Sequence, residues 1–229
     1  MLSRVLEPEV MESAEGAAEY DAMDHSTVND IFVTDLLPAI KDWSLQRPVT
    51  STTLNIVDLG AGTAQIPIKL ARRAEKIHIV AVDAAASMLA VARNNLDEVG
   101  LSHCITTVLA DAKQLPFDSG AFDVAISNSI VHHVPEPRGV VDEAVRVTMI
   151  GGLFFHRDLA RPTSEAELER LVATYTAGAT RYQRTLFAES LRAALTVDEM
   201  ADLVERSGFD RDSVRMTSDR HWTWTAIKS

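Results

Sequence analysis

The stretch Ile56 to Pro67, IVDLGAGTAQIP, decides how the chain is read. An apolar, β-branched run carries Asp58, turns through Gly60-Ala61-Gly62 and continues into a segment that reads as helix, a strand–turn–helix signature. A dinucleotide loop needs G-x-G-x-x-G, the third glycine allowing the helix to pack closely on the strand. Here Gln65 stands in the third glycine's place. The carboxylate of Asp58 would also repel a pyrophosphate brought against the turn. The ligand called for lacks a phosphate here and carries a cationic group. S-adenosylmethionine has both properties: its carboxylate suits amides at the helix start, and its ammonium suits Asp58.

Working outward, the period-two and apolar runs TLNIVDL, KIHIVAVD, CITTVLAD, FDVAISNS and GLFFHRDL read as strands buried on both faces. Helical stretches separate most of them. In ASMLAVARNNLDEVG, Met88, Leu89, Ala92, Leu96 and Val99 share a face and Gly100 is the stop; RGVVDEAVRVTM is read as a helix ending at Gly151-Gly152. Strands alternating with helices imply an α/β fold: a Rossmann-like, doubly wound, seven-stranded sheet, mostly parallel with an antiparallel C-terminal strand. Ligands then sit beyond the carboxyl ends of the strands. Asp83 ends the second strand, placed for a ribose, and Asp111 ends the third, placed with Ala112 for an adenine.

The flanks divide the single domain further. Residues 1–50 read as an N-terminal helical cap, amphipathic through STVNDIFVTDLLPAIKDW, and residues 53–160 as the cofactor-binding core. Residues 161–195 read as a helical lid insertion, two helices around Gly178. Residues 196–229 supply a last helix with a capping box, Thr196 and Glu199, and a strand pair whose Trp222/Trp224 end is read as an edge strand or a homodimer contact.

Composition narrows the partners. The 229 residues are 46% hydrophobic with a formal charge of −11, which offers no field for a polyanion; a nucleic acid is not expected and a small molecule is. Cys104 is the single cysteine, so no intrachain disulfide forms, a cysteine-based zinc site lacks ligands, and no metal is assigned. No export signal or membrane span is read, and a soluble, cytoplasmic protein is expected.

In the same order along the chain, VDLGAGTAQIP, VAVDAAASML, LADAKQLPF, FDVAISNSIVHHVPEP and MIGGLFFHRDL resemble the successive motifs of class I S-adenosylmethionine-dependent methyltransferases. The small-molecule subgroup with the ubiquinone and menaquinone biosynthesis enzymes (methyltransferase type 11-like) is the nearest in look. The resemblance implies Asp58, Gly60, Ala61 and Gly62 around the methionine moiety, Asp83 with Ala84 and Met88 at the ribose, and Asp111 with Ala112 at the adenine. It also implies Ser127 and Asn128 between cofactor and acceptor, with Tyr20 as a cover from AEYDAMDHSTVNDIFV. Two departures stand out: Ala64 replaces a common third glycine, and Met149-Ile150 precedes Gly151-Gly152 where Lys-Pro is usual.

Methyl transfer needs collinear reactants in a dry pocket, and a base only where the acceptor must lose a proton. His132, His133 and His156 are candidates, His132 first. The arginines Arg157, Arg161, Arg170, Arg181, Arg184 and Arg192 read as a solvated face paired with glutamates, or as a grip on an anionic acceptor; Tyr175, Tyr182 and Phe187 read as core or as pocket lining. Three other readings stay open: the adenosyl cofactor used for other chemistry, a cofactor-binding protein without catalysis, and a nicotinamide oxidoreductase, which Asp58 and Gln65 argue against.

Overall fold

The computed structural model describes residues 2–7, 13–23, 25–46 and 53–229. Strands β1 (Leu54–Leu59), β2 (Ile77–Asp83), β3 (Ile105–Leu109), β4 (Phe122–Asn128), β5 (Thr148–Leu159), β6 (Val214–Met216) and β7 (His221–Ile227) form one seven-stranded sheet in the order β3-β2-β1-β4-β5-β7-β6. β1 to β5 pair in parallel, and β7 runs antiparallel between β5 and β6. The chain therefore leaves β1 toward β2 on one side and enters β4 on the other. That reversal opens a crevice at the carboxyl ends of β1 and β4.

Alternation along β1 explains the two cores. Ile56 faces one side, with Phe32, Val33 and Leu36 of α2 (Ser26–Leu45), Ile68 and Leu70 of α3 (Gln65–Ala71) and Leu89, Ala92 and Leu96 of α4 (Ala86–Val99). Val57 and Leu59 face the other, with Val140, Val141 and Ala144 of α5 (Arg138–Val147) and Met200, Ala201 and Val204 of α8 (Val197–Arg206). The predicted stop of α4 holds, Gly100 adopting φ 71°, but Val99 is exposed and falls outside the buried face. The Thr196/Glu199 capping box starts α8 as read from sequence.

Several expectations are corrected. α5 ends at Val147, and Gly151-Gly152 lies inside β5 instead of stopping a helix. The glycines serve a strand irregularity: Gly151 has φ 76°, and a Cβ on Gly152 would come within 2.8 Å of the Asp123 carbonyl. Among the described residues the N-terminal region is helical in α1 (Ala14–Asp21) and α2, whereas residues 2–7 form neither helix nor strand; residues 1, 8–12, 24 and 47–50 of the expected cap lie outside the described residues. Trp222 and Trp224 are fully buried on β7, an interior strand, so they form neither an edge nor a dimer contact. In place of the edge, β6 takes that position. The insertion forms α6 (Glu165–Tyr175) and α7 (Arg181–Ala193) on either side of Gly178, as expected.

Candidate functional site

The turn after β1 is held by its own amides. Gly60 and Ala61 both donate to the Val82 carbonyl, Gly62 donates to Asp83 Oδ2 at 2.8 Å, and Ala64 donates to Ala61. These amides shape the loop; those at the start of α3 (Gln65–Ala71), where the sequence reading sets the ligand carboxylate, are not among these donors. The backbone runs left-handed at Gly60 (φ 73°), Gly62 (φ 55°) and Ala64 (φ 63°). A Cβ on Gly60 would lie 2.8 Å from Ile130, so this glycine lets the turn after β4 approach the loop.

Asp58 is 2% exposed, and its pKa is pushed well above the carboxylate range by burial and then by the neighbouring charge of Asp83. Among the described residues no cation offsets it. Asp83 is also raised by burial, though the amides of Ala85 and Gly62 work against that shift. Two carboxylates with so little local neutralisation make a site that demands a cation.

A pocket of about 200 Å³ opens at this point. Of the residues expected from sequence, Tyr20, Asp58, Gly60, Ala61, Gly62 and Asn128 line it. Its further walls come from Asp21, Met23, His25, Ser26 and Asn29 at the α1–α2 junction and from Thr63, Gln65, Ile66 and Lys69. Gln65, the residue that breaks the dinucleotide pattern, donates to Asp21 at 2.9 Å; Asn95 donates to the same carboxylate and to the Thr63 carbonyl. The substitution thus ties α1 down as a cover. The AEYDAMDHSTVNDIFV segment was the signal for these walls, and it also supplies core through Phe32 and Val33.

Asp83, Ala84, Met88, Asp111, Ala112 and Ser127 do not line this pocket. Met88 packs with Ala17 and Ala85 beneath α1, and Ser127 donates its hydroxyl to the Leu59 carbonyl. Asp111 accepts from the Lys113 amide and pairs with its ammonium at 3.2 Å. The residues that the resemblance assigns to the methionine moiety, Asp58, Gly60, Ala61 and Gly62, thus share this one pocket. Buried Asp58, without a counter-charge among the described residues, is the feature that fits that moiety's ammonium.

Beside this pocket, β4 leads through Ile130 into a 3-10 turn, Val131–His133. His132 is buried and bonds through Nδ1 to Asp158 Oδ1 at 2.5 Å. Asp158 also accepts from the amides of Val131, His132 and Leu159, so its carboxylate is locked. Burial opposes charge on His132, but Asp158 and then Glu7 outweigh it and hold the imidazole above its ordinary pKa. Glu7 Oε1 lies 3.4 Å from His132 Nε2 and 3.0 Å from His133 Nδ1. These three side chains also bring donor atoms within 4.8 Å of one another, close enough to share a metal ion. Neither Asp158 nor Glu7 was picked from sequence. Asp158 obeys the strand-end rule that found Asp83; Glu7 has no local signal.

Other candidates resolve differently. His156 packs edge-on to Trp224 in the core, and burial depresses its pKa to about 3, so it is no base at neutral pH. Arg161, Arg170 and Arg192 pair with Glu199, Asp219 and Glu165, and Arg157 reaches Asp35 and Thr223. Arg184 donates to the Ala179 carbonyl. Tyr175 bonds Asp219, and Tyr182 is exposed. Phe187 packs against the cluster of Leu168, Leu171 and Leu191.

Comparison with known proteins supplies the family. Residues 57–156 match the model described as a methyltransferase domain. A ubiquinone/menaquinone biosynthesis C-methyltransferase of Brucella anthropi is 27% identical over 222 residues, covering 87% of this chain and 78% of the relative. The crystal structure of an S-adenosylmethionine-dependent methyltransferase from Aquifex aeolicus superposes with TM-score 0.64 at 14% identity, over 96% of this chain and 100% of the other. The plantazolicin methyltransferase BamL, solved in complex with a triazolic desmethylPZN analogue and S-adenosylhomocysteine, gives a TM-score of 0.65 at 18% identity over 87% of this chain and 68% of the other. Among the described residues no helix is long and apolar enough to cross a membrane. The stretch from β1 to β5 is thus an S-adenosylmethionine-dependent methyltransferase domain, and the chain is similar over most of its length to the ubiquinone/menaquinone biosynthesis C-methyltransferases.

Proposed function

We propose that the enzyme methylates a proton-bearing atom of a small organic acceptor, with His132 as the base. Bound S-adenosylmethionine supplies an electrophilic methyl whose bond to sulfur breaks with its electron pair going to sulfur. Asp58 holds the ammonium end against the Gly60–Gly62 turn, and Asp83, Ala84, Met88, Asp111 and Ala112 follow the ribose and adenine along the carboxyl ends of β2 and β3. Ser127 supports that wall through its bond to Leu59, and Asn128 faces the reacting end from β4. Tyr20 and α1 close over the cofactor.

The observation that carries the cofactor assignment is the buried Asp58 without a counter-cation. The acceptor's proton passes to His132 Nε2, because Nδ1 is committed to Asp158, which stabilises the resulting imidazolium. Relatives named for quinone biosynthesis and a plantazolicin-modifying neighbour support a small organic acceptor. Residues 161–195 act as the lid over it. The enzyme works in the cytoplasm, and any homodimer uses a surface other than the buried Trp222 and Trp224.

The test is calorimetric titration with S-adenosylmethionine, S-adenosylhomocysteine and NADH in parallel, and with Asp83→Ala as control. Saturable binding of the two adenosyl ligands that the variant loses is expected. NADH binding with none to the adenosyl pair would overturn the assignment of this pocket.

A further inference from the structure

We propose that residues 2–7 form a removable strap over the catalytic histidine, and that Glu7 occupies the position where an acidic oxygen of the acceptor binds. This rests on the assignment of His132 as the base. The segment has no helix or strand of its own and is held from outside. Arg4 donates to the carbonyls of Ala193 at 2.7 Å, Val134 at 2.9 Å and Pro135 at 3.1 Å. The Val5 amide donates to Arg192, the Ser190 hydroxyl donates to Glu7 Oε2, and Leu2 packs on the Leu159, Leu168, Leu171 and Leu191 cluster. The strap therefore spans from the turn after β4 to α7 of the lid, so that its release frees both.

His132 has one nitrogen left for chemistry. Asp158 is saturated by three amides and by Nδ1, which fixes the ring and presents Nε2 outward. That face is covered by the Glu7 side chain, itself 9% exposed. Glu7 Oε1 is buried and takes no hydrogen bond; its contacts are the nitrogens of His132 and His133. A carboxylate set against Nε2 favours the imidazolium, whereas a base has to be neutral and reachable. The groups facing His132 are Asp158 from β5, Glu7 and Arg4 from the strap and His133 from its own turn. With the strap in place the base is covered and its charged form is favoured. An acceptor that replaces Glu7 has to offer an acidic hydroxyl to the two imidazoles, a phenol or enol whose proton passes to Nε2.

The test needs no knowledge of the acceptor. Histidine ring nitrogens are followed by NMR in the full chain, assigned with His132→Gln and His133→Gln, while sodium benzoate is titrated as a soluble carboxylate probe. In Glu7→Ala the probe is expected to shift the His132 and His133 signals saturably and at least tenfold more tightly than in wild type; Arg4→Ala, which loosens the strap but keeps Glu7, falls between. Glu7→Gln keeps the side chain's size, and its His132 titration is expected to move to lower pH. Benzoate acting on wild type as strongly as on Glu7→Ala, or on neither, overturns the proposal. So does an unmoved titration in Glu7→Gln, or a change in the wild-type signals on treatment with EDTA, which would put a metal ion between these groups. Binding of S-adenosylhomocysteine, expected to stay within twofold of wild type in every strap variant, is read alongside: its absence from wild type would defeat the cofactor assignment and leave the strap result to stand separately.

Discussion

Replacing Asp58 by asparagine should make the ligand-free protein more stable and the enzyme worse at its task. The side chain is 2% exposed, its pKa is raised by burial and by Asp83, and among the described residues no cation offsets the charge. The isosteric Asp58→Asn leaves a polar side chain buried but removes its charge, a relief of about 1–3 kcal/mol. In a domain of this size each 1 kcal/mol moves Tm by about 2–4 °C, so a rise of roughly 2–12 °C is expected at neutral pH. The sign of the pH dependence follows from the direction of the shift. The native carboxyl binds its proton up to a higher pH than the unfolded one, so wild type loses stability as pH rises from the ordinary carboxylate range through the native pKa. The variant's advantage therefore shrinks toward acid and is full above that pKa. Binding should respond oppositely, since a hydrogen bond to a charged group is worth about 1.5–3 kcal/mol, or a roughly 10- to 150-fold weaker Kd. Thermal denaturation between pH 4.5 and 8, with calorimetry of S-adenosylhomocysteine, reads both. An Asp58→Asn protein that melts below wild type at neutral pH and binds the ligand as tightly would refute the cation-site reasoning.

Other outcomes follow from the same structure. Gly60→Ala forces a Cβ to within 2.8 Å of Ile130 at φ 73°, and a loss of at least about 2 kcal/mol in denaturant unfolding is expected together with weaker cofactor binding. Asp158→Asn should lower kcat by about 10²–10⁴-fold while leaving the KM for S-adenosylmethionine nearly unchanged, because it frees His132 without touching the cofactor pocket; a parallel rise in that KM would count against the base. His156, depressed to about 3, stays neutral in the native state while its unfolded form binds a proton below about pH 6.5. Wild type should lose stability as pH falls through that window, and His156→Phe should unfold at lower pH than wild type, as followed by acid titration of circular dichroism. No change in the acid midpoint would show that His156 does not drive the transition.

What was legible in the sequence follows from range. The alternation of β1 and the strand-end positions of Asp58 and Asp83 are local, and both pointed to the crevice where the structure places them. The break at Gln65 was visible, but its cause, a bond to Asp21 across the pocket, depends on how α1 lies over α4. Gly151-Gly152 resembled a helix stop because a bulge and a stop use glycine for the same left-handed backbone; only pairing with β4 tells them apart. His156 and Asp158 lie on the same face of β5 two residues apart, yet one meets Trp224 and the other three amides. That difference comes from β7 and from the turn after β4, neither adjacent in sequence. Glu7 was invisible for the same reason.

The two halves of the site are joined by one close contact. Gly60 has no side chain, so Ile130 can seat against the cofactor turn, and the next residues, Val131 and His132, point their amides at Asp158. The position of His132, the proposed base, is thereby set by the loop proposed to hold the cofactor. A side chain at position 60 would push the turn away from the loop and separate base from methyl donor, so Gly60→Ala should lower kcat beyond what its effect on binding accounts for. Measuring single-turnover rates at saturating S-adenosylmethionine isolates that effect: a normal rate would mean that the loop and the turn carrying His132 are positioned independently.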